Sequence, residues 1–172
     1  MKIIIAGAGA VGTHLAKLLS REKQDIILID DNEERMSTLS SNFDLMTVNS
    51  SPTSIKGLKE VGAGEADLFI AVTPDESRNI TACMLATNLG AVKTVGRIDN
   101  YEYLLPKNKE FFQKLGVDSL IYPEMLAAKE IVSSIRMSWV RQWWEFCGGA
   151  LILIGSQTVF TQNQFSQVEW ES

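Results

Sequence analysis

A glycine pattern near the amino terminus has the spacing needed to bind a diphosphate through the backbone. A GxGxxG motif directly follows the apolar run Lys2–Ala6, and its glycines are Gly7, Gly9 and Gly12. The first glycine of such a motif permits a tight turn, the second lets the backbone approach a pyrophosphate, and the third lets a helix pack closely on a strand. We expect the phosphates at the amino terminus of a helix that begins with Ala10 and Val11, where N–H groups and the helix dipole favour negative charge.

A carboxylate follows the second apolar run of the sequence. Asp30 comes 18 residues after Gly12, close to the ~20 expected for a carboxylate that binds ribose hydroxyls. At that place it would accept a hydrogen bond from a 2′-hydroxyl and repel a 2′-phosphate, which favours NAD over NADP. ATP and ADP offer the same ribose and diphosphate. The motif therefore predicts a cofactor that is NAD(H) or ATP/ADP, with a glycine-rich turn that binds nothing as the alternative.

Strand-like apolar runs alternate with helical patterns along the first two thirds of the chain. Strict alternation predicts parallel strands joined by right-handed crossovers. The expected fold is a Rossmann-like α/β domain, with a doubly wound, parallel, six-stranded sheet and helices on both faces. The predicted strands are Lys2–Ala6, Asp25–Ile29, Leu45–Val48, Leu68–Val72, Thr94–Ile98 and Ser119–Tyr122.

The character of the chain changes after Tyr122. Residues 1–122 form the predicted nucleotide-binding domain. No proline or glycine occurs between Glu124 and Trp144, so we predict a long crossover or linker helix within 123–147 that lies at a subunit interface. An ordinary terminal helix covering the sheet is the alternative. Gly148 and Gly149 then precede a strand-like run, and we interpret 148–172 as the start of a truncated subdomain or as a tail.

Polar side chains follow three of the predicted strands at their carboxyl ends. Asn49 and Ser50 follow the third strand, Thr73 follows the fourth, and Arg97 ends the fifth. These ends meet at the crevice where doubly wound sheets bind nucleotides. The amide and hydroxyl groups can bind adenine, ribose or phosphate, and the guanidinium can pair with a phosphate. Helix capping or turn formation is the alternative for Asn49 and Thr73, and a surface ion pair is the alternative for Arg97.

Composition excludes some partners. The 172 residues carry a formal net charge of −5 and have a pI near 4.9, whereas a general nucleic-acid binder needs a basic face. No apolar run reaches the ~20 residues that span a bilayer, and no signal peptide is visible. Cys83 and Cys147 lie far apart and are interpreted as reduced thiols of a cytosolic protein.

No catalytic group is predicted. Tyr103 and Lys107 have the YxxxK spacing of short-chain dehydrogenases, but Pro106 between them would break the shared helix. Cys83 has no nearby histidine in the sequence that could activate it. His14 is the only histidine and is expected to face solvent or to pack, and no histidine–carboxylate cluster suggests a catalytic metal.

Several segments together resemble one family. They are KIIIAGAGAVGTHLAKLL, the acidic pair Asp30–Asp31 after ILI, GLKEVGAGEADLFIAVTPDESRNITACMLA, GRI and LIYPE. The sequence is similar to the TrkA family of Trk-system potassium uptake proteins, which consist of RCK domains, also called KTN domains. The resemblance implies a non-catalytic regulatory domain on the cytoplasmic face of the cell membrane. Such domains form dimers and rings and gate a potassium-translocating membrane subunit of the TrkH/TrkG type.

The resemblance also implies roles for individual residues. The three glycines match the pyrophosphate loop and Asp30 the ribose carboxylate, while Asn49, Ser50 and Thr73 fall in loops that line the pocket. Arg97 matches a residue that can reach a phosphate. Glu124 matches an acidic residue that, in some ATP-binding relatives, helps to hold a cation between subunits.

Two other functions stay open from the sequence. One is an NAD-dependent oxidoreductase domain that lacks its substrate domain, which predicts an acid or base beside the nicotinamide. The other is a nucleotide-binding oligomerisation module with a partner unrelated to transport. Co-purification with a membrane subunit would separate the second from the regulatory function.

Overall fold

The computed structural model describes residues 1–22, 24–42, 45–136, 142–146 and 151–155. The chain divides into two compact units, Met1–Met125 and Leu126–Ser172. In the first unit strands and helices alternate from the start. The elements are β1 (Lys2–Ala6), α1 (Ala10–Ser20), β2 (Asp25–Asp30), α2 (Glu33–Asn42), β3 (Met46–Asn49), α3 (Ile55–Glu60), β4 (Leu68–Ala71), α4 (Glu76–Leu89), β5 (Thr94–Arg97), α5 (Pro106–Lys114), β6 (Ser119–Ile121) and the first residues of α6 (Pro123–Arg136).

The first unit contains a six-stranded sheet in the order β3-β2-β1-β4-β5-β6. Every neighbouring pair in it is parallel. The chain winds outward from β1 to β3 and then returns to place β4 beside β1, so the winding direction reverses between β1 and β4. This is the predicted doubly wound sheet, and a ligand crevice is expected above that reversal point, at the carboxyl ends of the strands.

Helices cover both faces of this sheet because its strands are apolar on both sides. Ile3 and Ile5 of β1 pack in one cluster with Ala16 of α1 and Met36 of α2. Ile4 and Ala6 point to the other face, where the cluster contains apolar residues of α3, α4 and α5. The two-residue period of β1 therefore divides one strand between two cores.

Helix α5 was not predicted from the sequence. Pro106–Lys114 forms α5, with Pro106 at its first turn and Phe112 as its buried residue. The segment PKNKEFFQK is largely polar, so it lacks the apolar period that reveals a helix. Tyr103 lies before this helix in a short 3-10 turn, Tyr101–Leu104, which confirms that Tyr103 and Lys107 do not share a continuous helix.

The predicted helix between Glu124 and Trp144 is wrong in its extent. Helix α6 covers Pro123–Arg136, and Gln142–Phe146 instead forms a strand, β7, that pairs antiparallel with β8 (Leu151–Gly155). Aromatic residues before Gly148 and Gly149, and β-branched residues after them, favour a hairpin over a continued helix. The domain boundaries at 122 and 147 stay predictions, and the tail at 156–172 lies outside the described residues.

Candidate nucleotide-binding site

The glycine loop between β1 and α1 depends on its first and third glycines for packing. Gly7 has φ +114°, and a Cβ there would lie 2.9 Å from the backbone nitrogen of Thr73. A Cβ on Gly12 would overlap the carbonyl oxygen of Gly7. Since both obstacles are backbone atoms, they cannot rotate away, and these two glycines let α1 and β4 pack against the loop.

The second glycine faces open space. Gly9 caps α1 with φ −72°, and no side chain caps this helix. A Cβ on Gly9 would have no atom within 4 Å. The first helical hydrogen bond runs from the N–H of Thr13 to the carbonyl of Gly9 at 2.9 Å. The N–H groups of Ala10 and Val11 thus belong to the free amino-terminal end of α1, which is suited to an anion.

Asp30 is buried under this loop and fastens it to the end of β2. Asp30 is only 7% exposed. One carboxylate oxygen accepts the N–H of Ala8 at 2.6 Å, and the other accepts the N–H of Asn32 at 2.8 Å. The sequence predicted a ribose acceptor here but not this loop contact. Because each carboxylate oxygen has two acceptor positions, capacity for a ribose hydroxyl remains.

A cavity of about 410 Å³ borders the glycine loop on the side of α1 and α2. It brings basic groups next to the open end of α1, an arrangement that favours an anionic ligand. Lys17 and Arg35 were not predicted from the sequence. The available signal for Lys17 was its spacing of four residues from Thr13, which places both on one face of the helix that follows the motif. The lining residues are Ala8, Gly9, Ala10, Thr13, His14, Lys17 and Arg35.

The end of β3 lies beside Asp30 but presents only part of what was predicted. Asn49 is exposed and pairs in register with Asp30. The N–H of Ser50 donates to the carbonyl of Asp30 at 3.0 Å. The hydroxyl of Ser50 lies so close to Gly57 of α3 that any side chain at Gly57 would overlap it. Asn49 is therefore open to a ligand, whereas the Ser50 hydroxyl packs against α3.

Arg78 connects the two sides of the crevice and was not singled out from the sequence. It lies in the first turn of α4, after β4. Its guanidinium forms an ion pair with Asp31, after β2, and donates to the hydroxyl of Ser51, after β3, at 3.1 Å. The sequence signal available for Arg78 was its position one turn after the Thr73–Asp75 segment. Its contacts with Asp31 and Ser51, however, depend on how the fold brings three loops together.

Thr73 is buried in the turn between β4 and α4. Its residue is 4% exposed, and its hydroxyl lies 2.7 Å from Oδ1 of Asn79 and 3.1 Å from the carbonyl oxygen of Asp75. The turn-forming alternative thus accounts for the hydroxyl of Thr73. Asp75 caps α4 by accepting the N–H of Arg78 at 3.1 Å.

Arg97 and Glu124, both predicted site residues, pair with each other. A terminal nitrogen of Arg97 lies 3.1 Å from Asp99 and 3.3 Å from Glu124. The ion pair that was the alternative for Arg97 is therefore present. Within the described ranges, no group of three or more His, Cys, Asp or Glu side chains could hold a metal ion.

The thiol of Cys83 is not activated for catalysis. Burial raises the pKa of the Cys83 thiol to about 12. A hydrogen bond with the Ala71 backbone lowers this pKa, and the charge of Asp118 raises it by a smaller amount. A thiol with that pKa is protonated at neutral pH and is a poor nucleophile. His14 is exposed, as expected from the sequence. No described helix is long and apolar enough to cross a membrane.

A doubly wound sheet, a GxGxxG turn and an uncapped helix above the reversal point define a Rossmann-like domain of the nucleotide-binding class. Comparison with known families makes this specific, because the model of the TrkA-N domain matches residues 3–123. The chain belongs to the TrkA-N domain family. It is similar to the Trk system potassium uptake protein TrkA of Haemophilus influenzae, with 40% identity over 156 residues, 90% of this chain and 34% of that protein. The chain thus spans about a third of the length of the first curated relatives it matches.

Solved structures share the fold. One is described as GsuK bound to ADP, with a TM-score of 0.61, 25% identity, and coverage of 80% of this chain and 34% of that one. Another is described as the GsuK channel bound to NAD, with a TM-score of 0.56, 20% identity, and coverage of 70% and 21%.

Proposed function

We propose that this chain is the nucleotide-binding part of a regulatory protein of potassium uptake, and that it binds NAD(H) or ATP/ADP without catalysis. The observation that carries the proposal is the open amino terminus of α1. No side chain caps it, Gly9 leaves space above it, and basic residues border it. An anionic diphosphate fits that environment.

The relatives support the potassium-transport context. The H. influenzae relative is named as a potassium uptake protein, and two structural neighbours are described as bound to ADP and to NAD. We infer that this protein acts in the cytoplasm, at the inner face of the cell membrane. Its partner there is a potassium-translocating subunit of the TrkH/TrkG type. Nucleic acid is not expected as a partner, given the acidic composition.

Self-association is part of the proposal. Helix α6 has a series of apolar side chains that are exposed in the single chain, which favours a homodimer or a larger ring. The exposed apolar residues are Leu126, Ile131, Val132 and Ile135. A second copy that covered these side chains would place two nucleotide sites in one assembly.

We assign the ligand contacts as follows. The backbone of the glycine loop, with Ala10 and Val11, holds the diphosphate, and Asp30 accepts a ribose hydroxyl while it fastens the loop. Asn49 lies open at the ribose side, whereas Ser50 and Thr73 shape the loops. Arg97 ends β5 with a side chain that is 21% exposed, and we assign its guanidinium as the partner of a phosphate. A cation at Glu124 would have to replace Arg97 and take further ligands from a second subunit.

Ligand titration tests the proposal. We would titrate the 172-residue chain with NADH, NAD, ATP and ADP and follow the melting temperature and the oligomeric mass, with adenosine as the control that lacks phosphates. A ligand at 100 times its Kd stabilises the folded state by about 2.7 kcal/mol. Stabilisation by at least one nucleotide and not by adenosine is expected. No stabilisation by any of the four contradicts the proposal, and consumption of NADH with candidate substrates would favour an oxidoreductase.

A further inference from the structure

Asn79 connects the ends of β4 and β5 through one fully buried amide. Its residue has no exposed surface. Its Oδ1 accepts the N–H of Thr73 at 2.8 Å and faces the Thr73 hydroxyl at 2.7 Å. Its Nδ2 donates to the carbonyl of Thr73 and to the carbonyl of Arg97, both at 2.9 Å. The amide therefore joins two residues that the sequence had placed at the ligand crevice.

This amide continues the sheet where the strands separate. The register of β4 with β5 runs from Phe69–Thr94 to Ala71–Gly96, and β4 then turns away toward α4. The carbonyl of Arg97 lies one residue beyond that pairing, and Asn79 supplies its hydrogen bond. A side chain with both a donor and an acceptor is required, because the Thr73 turn presents an N–H and a carbonyl to it.

Glu76 fastens the segment after Arg97 from the same turn of α4. Its Oε2 accepts the N–H of Asp99 at 2.9 Å and the N–H of Asn100 at 3.0 Å. The backbone on the carboxyl side of Arg97 is thus held by two side chains that are three residues apart on one helix. Residues at this spacing lie on the same helix face, so Asn79 reaches the end of β5 and Glu76 reaches the segment that follows it.

We propose that Asn79 is a positioning residue for nucleotide binding: it holds the Arg97 backbone against the Thr73 turn and thereby sets where the Arg97 guanidinium meets a ligand phosphate. The inference rests on the proposed function, since it needs a nucleotide in the crevice. Glu76 assists by fixing the segment that follows. Asn79 itself touches no ligand, so its effect passes through Arg97.

A double-mutant cycle on the 172-residue chain tests the proposal with ADP as the probe. Asn79→Asp keeps the acceptor for Thr73 but replaces the donor with an oxygen that faces two carbonyl groups. We expect the Kd for ADP, measured calorimetrically, to rise about tenfold in the presence of Arg97, a size typical of coupled neighbours. In the Arg97→Ala background the same substitution is expected to change that Kd less than about twofold.

A second pair of variants covers the case in which Asn79→Asp does not fold. Glu76→Ala removes the acceptor for two backbone N–H groups from a partly exposed site, and Glu76→Gln keeps an oxygen in place. Weaker ADP binding by the first and recovery by the second are expected when Arg97 is present. Thr81→Ala is the matched control, because Thr81 is exposed on the same helix and its hydroxyl donates to the carbonyl of Ser77 within that helix.

The outcomes separate the two proposals. If the wild-type chain fails to bind ADP and the other nucleotides, the proposed function fails and this inference fails with it. If the wild-type chain binds ADP and the Asn79 and Glu76 variants weaken binding equally with and without Arg97, only this inference is overturned. In that case, their role is general support of the fold.

Discussion

The amino termini of α1 and α4 both lie at the carboxyl edge of the sheet, yet the chain treats them in opposite ways. Helix α1 follows β1 and begins at Gly9 with no side-chain cap and no acidic residue in its first turn. Helix α4 follows β4 and begins at Asp75, whose carboxylate caps it, with Glu76 in its first turn. Since an acid at a helix start already satisfies the free N–H groups and the dipole, α1 is the one of these two termini that is left to receive an external anion.

The two loops also differ in the side chain that fastens them. Asp30 fastens the glycine loop to the end of β2 by accepting the N–H of Ala8 and the N–H of Asn32. Asn79 holds the Thr73 turn by accepting and donating. A carboxylate fits the first place because only donors face it, and an amide fits the second because donors and acceptors face it. Backbone polarity therefore selects the residue type at each fastening point.

The largest expected effect on the α1 side is structural. Gly12→Ala places a Cβ against the carbonyl of Gly7, a backbone atom that can yield only if α1 moves away from the sheet. We expect a loss of about 3 kcal/mol in the free energy of unfolding, at the upper end for overpacking. Urea denaturation measures it. A loss below about 0.5 kcal/mol, the scale of a neutral surface change, would show that α1 does not need this close contact.

The next effect concerns binding rather than stability. Gly9→Asp gives α1 the kind of carboxylate cap that α4 has, in a backbone conformation that ordinary residues adopt. We expect ADP affinity to fall about a hundredfold, or about 2.7 kcal/mol, with unchanged or increased stability to urea. Gly9→Ala is the steric control and should weaken binding less, because it adds no charge. Equal affinities in wild type and Gly9→Asp would place the anion elsewhere.

A smaller effect is expected at the carboxylate under the glycine loop. Asp30→Asn can satisfy only one of the two N–H groups, and a buried donor without a partner costs about 1–3 kcal/mol. Asp31→Asn is the neighbouring control. It loses an ion pair with Arg78 in which the carboxylate is 51% exposed, and such pairs contribute about 0–1 kcal/mol. Chemical denaturation of both variants tests the contrast, and a costlier Asp31→Asn would reverse the assignment of the fastening role.

The sequence predicted the sheet because its signals were local. Alternating apolar runs placed the first-unit strands to within one residue at each end, and the GxGxxG turn identified the β1–α1 loop. Helix α5 was not predicted because Phe112 is its only buried residue, and one buried apolar position does not produce a helical hydrophobic period. The length of α6 was overestimated because the absence of proline and glycine permits a helix without requiring one. Gln142–Phe146 forms a strand instead, paired with β8.

Features of the candidate site were predictable where the backbone requires one residue type, and they were not predictable where a contact joins two loops. The glycines follow from backbone geometry and are visible as a motif. The partnership of Arg78 with Asp31 joins residues 47 positions apart, and the pairing of Arg97 with Glu124 joins residues 27 apart. No local pattern encodes such distances, since they depend on which strands become neighbours.

The smallest effect tests the α4 side of the comparison. Asp75→Ala removes the cap of α4 and leaves one of its amino-terminal N–H groups without that acceptor, so we expect a loss of about 1 kcal/mol in the free energy of unfolding. Asp75→Ser keeps a capping oxygen and should recover most of it. ADP affinity is expected to change less than about twofold in both variants, because we propose that the phosphates bind at the start of α1 and not at the start of α4. A marked change in ADP affinity with Asp75→Ala, restored by Asp75→Ser, would mean that the α4 terminus takes part in binding and that the two termini are not opposed.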